Sequence, residues 1–295
     1  MGSKVRIAAD STCDLTEDLL KQYDICRIPL CIIMGEESFY DGEEVTPDQI
    51  YAWAEANRTT PKTAAVNPEK TLEILRPFME AGEEIVFFGI SSEMSTTCNV
   101  VRLIREEEQY PGLHVVDSRN LSTGIGLQVL RAAEMAAAGC SAEEIVGAIE
   151  ADRKKVCASF VVDTLTYLAR GGRCGSATAL LANTLKLHPL IAVKDGVMQV
   201  EKKYRGGLGT ALRRYREDLK EALLSADRRR VFITHSGCDE ELIRQTYEEL
   251  KALEHFEEIL ITRAGGVVSS HCGPGTLGIL FYTADEDYDK GGRTC

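Results

Sequence analysis

The sequence predicts an α/β protein of two domains: an N-terminal α/β sandwich built on a parallel sheet, and a C-terminal α+β domain with a mixed or antiparallel sheet. Three observations carry that prediction. Short β-branched runs alternate with helix-period stretches through the first half of the chain, the arrangement that βαβ units produce. Ile85-Val86-Phe87-Phe88-Gly89-Ile90 is nearly unbroken in its apolarity, as expected of a parallel strand covered on both faces. Asp195-Gly196 stands between two apolar runs, and that dipeptide supplies the positive φ angles of a two-residue hairpin turn.

In order, Val5 to Ala9 reads as a strand, Leu15 to Tyr23 as a helix, and Ile25 to Met34 as one further strand. Thr46-Pro47-Asp48 offers the capping hydroxyl and first-turn proline of a helix start; that helix runs through Ile50, Trp53 and Ala54 and ends in the Thr59-Thr60-Pro61 loop. Pro68 to Ala81 is helical. After the Ile85 strand, the hydroxyl-rich stretch Ser91 to Thr97 leads into a helix with Val100, Val101 and Ile104 on one face. His114 to Asp117 is a strand, Leu127 to Ala138 and Ser141 to Arg153 are helices, and Ala158 to Val161 is a strand. A change of texture then leads to the polar break Gly171-Gly172-Arg173, which places an N-terminal domain at 1–162, a C-terminal domain at 163–283 and an acidic tail at 284–295. The second domain continues with an apolar helix Ala177 to Leu187, strands Leu190 to Val193 and Val197 to Lys203 around the hairpin turn, and a long helix Leu208 to Leu224. Strand Val231 to His235, helix Glu240 to Leu253, strand Ile259 to Arg263, a glycine-rich segment through Gly275 and strand Leu277 to Tyr282 complete it.

At 295 residues and 44% hydrophobic, the chain can fill a substantial core. Its net charge of −12 repels phosphate backbones and anionic head groups, which argues against nucleic acid as a partner. The arginines at 213, 214, 216 and 228–230 are interleaved with Glu217, Asp218 and Glu221 and read as a solvated face. Ten cysteines without a secretory signal pattern point to a reducing cytoplasm and free thiols. Cys26 and Cys31 lack a second pair or a nearby His, so no metal site is expected. No apolar run reaches the roughly 18–20 residues that span a bilayer, so stable membrane insertion is not expected. The expected protein is a cytoplasmic monomer without a cofactor.

Several segments can carry chemistry. The hydroxyls around Ser95, where a strand meets a helix N-terminus, form an anion site or a helix cap. Asp10-Ser11-Thr12-Cys13-Asp14 follows the first strand, where open α/β sheets gather ligands, and reads equally as an Asx-type turn. His271, in a Gly-Pro-Gly setting, is a donor to a carboxylate, a proton shuttle or a structural residue. Arg170-Gly171-Gly172-Arg173 and Lys202 to Gly207 set cations beside glycines. Neither matches a phosphate-binding loop or a dinucleotide fingerprint, and Gly-x-Ser-x-Gly is absent.

Taken together and in order, Asp10 to Leu15, Pro61-Lys62-Thr63, Ile90 to Thr97, Val116-Asp117-Ser118, Tyr167 to Arg173 and His271 to Gly275 resemble the DegV family. Its members are similar to the fatty-acid-binding subunits of bacterial fatty acid kinases. The resemblance covers nearly the whole chain. It implies a carrier, not an enzyme, holding one long-chain fatty acid such as palmitate, stearate or oleate in a buried tunnel. By the same resemblance Thr63 and Ser95 hold the carboxylate, Ser92 and Thr97 belong to the hydroxyl cluster, and His271 lies close by. Arg173 and Arg205 would face a separate kinase subunit that phosphorylates the bound acid. Three stretches depart from the family's usual pattern: Ala64-Ala65-Val66-Asn67 replaces Ser-Gln-Pro-Ser, Ser95-Thr96-Thr97-Cys98 replaces Ser-Gly-Thr-Tyr, and His271-Cys272-Gly273-Pro274 replaces His-Thr-Gly-Pro. A competing reading is an enzyme that uses Ser95 and His271 for acyl or phosphoryl transfer. That reading requires Ser95 within hydrogen-bond reach of a base, and a carboxylate that orients the histidine.

Overall fold

The computed structural model describes residues 4–180 and 187–284. Its strands are β1 (Val5–Asp10), β2 (Cys26–Ile28), β3 (Cys31–Met34), β4 (Glu37–Tyr40), β5 (Lys62–Ala64), β6 (Glu84–Gly89), β7 (Leu113–Asp117), β8 (Val156–Val161), β9 (Leu187–Lys194), β10 (Val197–Arg205), β11 (Ala226–Ser236), β12 (Glu258–Arg263) and β13 (Thr276–Thr283). The helices are α1 (Glu17–Gln22), α2 (Pro47–Asn57), α3 (Pro68–Glu80), α4 (Thr97–Glu107), α5 (Thr123–Ala137), α6 (Ala142–Asp152), α7 (Thr166–Gly171), α8 (Gly175–Leu180), α9 (Leu208–Leu224), α10 (Glu240–Lys251) and α11 (Gly266–Cys272).

Three sheets result. A parallel sheet has the order β2-β1-β6-β7, and a small antiparallel sheet the order β4-β3-β5. The third has six strands, β10-β9-β8-β13-β11-β12, antiparallel except for β11 beside β12. Because successive strand residues face opposite ways, each large sheet serves two cores. Ile7, Ala9, Val86 and Phe88 of the parallel sheet and Ala158, Phe160, Phe232 and Leu280 of the six-stranded sheet share one core with α5 and α6. Ala8, Ile85 and Phe87 turn the other way, toward residues of β3, α2, α3 and α4, while Val161, Ile233 and Phe281 pack with α9 and α10. Helix α5, buried along most of its length, lies in the core that both large sheets share.

The α/β class read from the sequence is the class observed, and several details differ. The stretch Ile25 to Met34 is two strands in two sheets, since Pro29 lacks the N–H a continuous ladder requires. Strand β8, on the N-terminal side of the division at 162, is hydrogen-bonded between β9 and β13, so the chain changes sheet before Val156. Its fully buried run, apolar except for Ser159, looks the same whichever sheet it joins. The Pro61 loop holds β5, and the glycine-rich segment after β12 holds α11. Helix α8 is described only to Leu180; the remainder of the expected Ala177–Leu187 helix before β9, and the acidic tail from 285 onward, lie outside the described residues.

Two arginines of the expected solvated face are buried. Arg216 sends Nε and Nη2 to Glu249 at 2.6 and 2.8 Å, and Arg230 sends Nε to Glu258 at 2.6 Å. Their stems cover apolar surface while the planar forks pair with carboxylates. Cys157 is disulfide-bonded, against the expectation that all thiols are free; that expectation rested on compartment, whereas bonding depends on which cysteines the fold brings together. Among the described residues no helix is long and apolar enough to cross a membrane.

Candidate functional site

Three chain segments converge on one cavity. Strand β5 pairs with β3, Thr63 opposite Ile32, and this presents the Thr63 hydroxyl. The turn after β6 is fixed from below by Asp10, whose carboxylate accepts the Ile90 N–H at 2.7 Å and the Thr12 N–H at 3.0 Å. The Asx-type turn read from the sequence is therefore present, and Asp10 to Asp14 is buried support for the site. The third segment is α11. Its first N–H groups are held by two buried carboxyl groups, Gly265 N–H on Asp14 at 2.8 Å and Gly266 N–H on Asp41 at 2.7 Å, which satisfy donors that a helix start leaves unpaired.

Helix α11 presents Val267, Val268, His271 and Cys272 to the cavity, spaced i, i+1, i+4 and i+5 as one helical face requires. The cavity has a volume of about 480 Å³, with Thr63, Ser92, Ser95, Arg173 and His271 in its wall beside Leu30, Ile90, Met94, Leu121 and Met198. His271 Nε2 lies 2.8 Å from Thr63 Oγ1. Its Nδ1 is shut in without a hydrogen-bond partner among the described residues. A buried unpaired N–H costs more than an unpaired lone pair, so the ring proton belongs on Nε2, donated to Thr63. The Thr63 O–H is then available to a ligand. Burial, and secondarily the charge of Arg173, push the imidazole down to about 4, so His271 is neutral at physiological pH.

Ser95 stands one residue before Thr96, the N-cap of α4, and both supports the helix start and lines the cavity. Its Oγ accepts the Thr97 N–H at 3.3 Å and lies 3.0 Å from Thr97 Oγ1, while the residue forms part of the cavity wall. Thr97 is fully buried behind Ser95 and does not reach the cavity. Ser92 is at the rim, its N–H on Asp117 at 3.3 Å. Arg173 is exposed at the mouth, with Nη1 donating to the Gly171 carbonyl at 2.9 Å and Nε to that of Met94 at 3.4 Å. Arg205, exposed on β10, is not part of the wall. The pairing that an enzyme would need is absent: Ser95 bonds Thr97 and not His271, and no carboxylate among the described residues orients Nδ1.

The family model for an uncharacterised protein group named DegV matches residues 4–284. The chain belongs to the DegV family. A DegV domain-containing protein of Clostridium perfringens is 31% identical over 290 residues, covering 94% of this chain and 97% of the relative. A solved DegV family protein from Thermus thermophilus, described by its fatty acid binding, superposes with a TM-score of 0.87 at 30% identity, over 95% of this chain and 99% of that one. A stearic acid-binding protein from Eubacterium ventriosum matches with a TM-score of 0.81 at 25% identity, over 96% of this chain and 98% of its own.

The departures from the usual DegV pattern have local explanations. Asn67 takes over as helix cap, its side chain accepting the Lys70 N–H at 2.9 Å. Val66 is core, while Ala64 and Ala65 make that part of the DegV cavity wall apolar. Cys98 Sγ lies 3.7 Å from the carbonyls of Ile90 and Val116, filling space beneath the turn. Asp41 carried no signal of its own in the sequence; Gly171, read there as part of a polar break and a family motif, packs against the His271 ring, a role those readings did not show. Val267-Val268 with His271-Cys272 has helical spacing that the surrounding glycines obscured.

Proposed function

We propose that this chain binds one long-chain fatty acid, with its carboxylate held by Thr63 and Ser95 and its tail in the apolar interior, as a carrier that presents the acid to a separate kinase. The observation that carries this reading is the Thr63–His271 pair in the wall of a cavity whose other side is apolar, formed by Leu30, Ile90, Met94, Leu121 and Met198. A carboxylate taken out of water without donors is costly, and the hydroxyl of Thr63, backed by a neutral imidazole, is a donor suited to it. Ser95, its oxygen already accepting the Thr97 N–H, has a proton of its own to donate. The tail supplies most of the affinity, at about 0.8 kcal/mol for each buried methylene. The descriptions of the Thermus and Eubacterium proteins support the same ligand class. Exposed Arg173 at the mouth and Arg205 on β10 are the cationic groups proposed to face the kinase, in which the phosphoryl chemistry would reside.

The test is denaturing organic extraction followed by mass spectrometry, alongside the native mass, for the wild-type protein and for a Thr63→Ala, Ser95→Ala double variant. The expected result is one fatty acid per wild-type chain and clear depletion in the folded double variant. Absence of extractable acid together with no binding of added palmitate or oleate would overturn the carrier reading. Equal retention in the double variant would remove both hydroxyls from the carboxylate site.

A further inference from the structure

Beside the cavity, Ser122 has a backbone conformation that a serine does not favour. It precedes α5 with φ 54° and ψ −144°, outside both helical regions and outside the extended region, where a residue with a Cβ is rarely found. Nor does its hydroxyl serve as a serine at a helix start ordinarily does. It makes no capping bond to α5; it donates to Asp14 instead.

The surroundings fix this conformation from both sides. Before it, the Asn120 side chain accepts the Leu121 N–H at 3.0 Å. Asn120 is itself held by its N–H on Ser118 Oγ at 3.1 Å and by the Ser91 N–H on its carbonyl at 2.9 Å. After it, a Cβ at Gly124 would lie 2.0 Å from Asn120 Oδ1, and one at Gly126 would lie 2.9 Å from Leu15 Cδ2 and 3.0 Å from the Cys13 carbonyl oxygen. The first turn of α5 is therefore pressed against the loop that carries Asp14. The other oxygen of Asp14 accepts the Gly265 N–H at the start of α11. One carboxyl group thus ties the start of α5 to the start of α11, and Leu121 lines the same cavity as Val268 and His271 of α11.

We propose that Ser122 is a positioning residue of the cavity: its strained backbone, locked by the bond to Asp14, holds Leu121 in the wall in register with α11, and the site binds its acid with full affinity only while that conformation is kept. The inference rests on the carrier reading and adds what keeps the empty site ready for its ligand. A site whose competent conformation is only partly populated binds more weakly by that fraction. In Ser122 the bond to Asp14 offsets the strain. A glycine at the same position has no such strain to offset, because without a Cβ it accepts positive φ freely.

Ser122→Gly and Ser122→Ala both remove the hydroxyl and differ in whether the strain remains, so together they separate backbone from bond. Delipidated wild type and both variants, with methyl-labelled leucine, are titrated with palmitate and also melted without ligand. Ser122→Gly is expected to keep the wild-type Leu121 methyl resonances and a palmitate affinity within about threefold. Ser122→Ala should shift those resonances and weaken palmitate by on the order of tenfold, as strain without its compensating bond depopulates the competent conformation. It should also melt below Ser122→Gly, the reverse of the ordinary order of these two residues. If Ser122→Ala does not fold, Ser122→Cys, which keeps the strain with a weaker donor, takes its place. Wild-type affinity and resonances in both variants, or a Ser122→Gly protein as weak as Ser122→Ala, would overturn the proposal. A wild-type protein that binds no palmitate would remove the carrier reading, while the Leu121 resonances and the order of melting would still decide whether Ser122 holds the wall.

Discussion

A methyl group at Gly171 would sit 2.2 Å from His271 Nδ1 and 3.0 Å from Cε1, well inside contact distance, so the absence of a side chain there lets the imidazole reach Thr63. Gly172 matters for its backbone instead, closing α7 in the left-handed conformation at φ +69°. Gly171→Ala adds a methyl at the end of a helix, where the backbone tolerates it, and its damage falls on the ring. The expected outcome is a folded protein in which His271 swings away from Thr63 and the bound carboxylate loses a supported donor. Fatty-acid affinity should fall about tenfold or more, the size of a lost hydrogen bond to a charged group. Isothermal titration gives the affinity, and the His271 ring resonances report the displacement. Unchanged resonances and affinity would mean that the ring does not depend on this glycine. At this scale the sequence made Thr63, Ser95 and His271 legible through ordered motifs, while their mutual placement was not, because Thr63 and His271 are 208 residues apart and only the fold brings them together.

Hairpin β9–β10 shows what was legible for an element and what was not. Its turn was readable from Asp195-Gly196, and both residues have positive φ, 51° and 83°, as a two-residue turn of this type requires. The turn's destination was not readable. Ser91 Oγ donates to the Gly196 carbonyl at 2.7 Å, and Arg119 Nη2 donates to that of Asp195 at 2.7 Å, so the hairpin tip is fastened to the loop after β6 and brings Met198 into the cavity wall. Ser91→Ala removes the more buried of the two fastenings, at a cost of about 1 kcal/mol in local stability. Faster amide exchange is expected around residues 194–198, with faster release of bound acid and little change in the melting temperature. An exchange pattern identical to wild type would show that the Arg119 contact suffices. Long elements such as α9 were read to their ends because their periodicity repeats over several turns. Three-residue β5 and seven-residue α11 were missed because so short a segment carries too little pattern to distinguish it from loop.

Across the whole molecule, the two halves meet at a buried group of carboxyls. Asp14 and Asp41, from the loops after β1 and β4, accept the N–H groups that begin α11, and Asp10 supports the turn after β6. Burial dominates all three: Asp14 is pushed up to about 8, Asp10 to about 6, and Asp41 upward as well. In the unfolded chain each titrates near 4. Between that value and the folded one, the native state keeps a proton that the unfolded state has lost, so stability is full at low pH and falls as pH rises. His271 acts in the opposite direction. Its folded value of about 4 lies below the unfolded value near 6.5, so its contribution rises with pH between those limits and is constant above them. Below pH 6.5 the effects oppose one another. From about pH 6.5 to 8, the last of the Asp10 titration and of the His271 titration in the unfolded chain, which oppose each other, die away and Asp14 comes to dominate, with Asp41 acting in the same direction where it still titrates. Urea unfolding across this window should show stability declining by at most about 1.4 kcal/mol per pH unit for one such group. Asp14→Asn keeps an acceptor for the Gly265 N–H and can turn its amide toward Ser122, so the variant should fold and lose most of that slope. A wild-type profile that is flat or rising from pH 6.5 to 8 would mean that Asp14 is ionised in the native protein, with its two hydrogen bonds outweighing its burial.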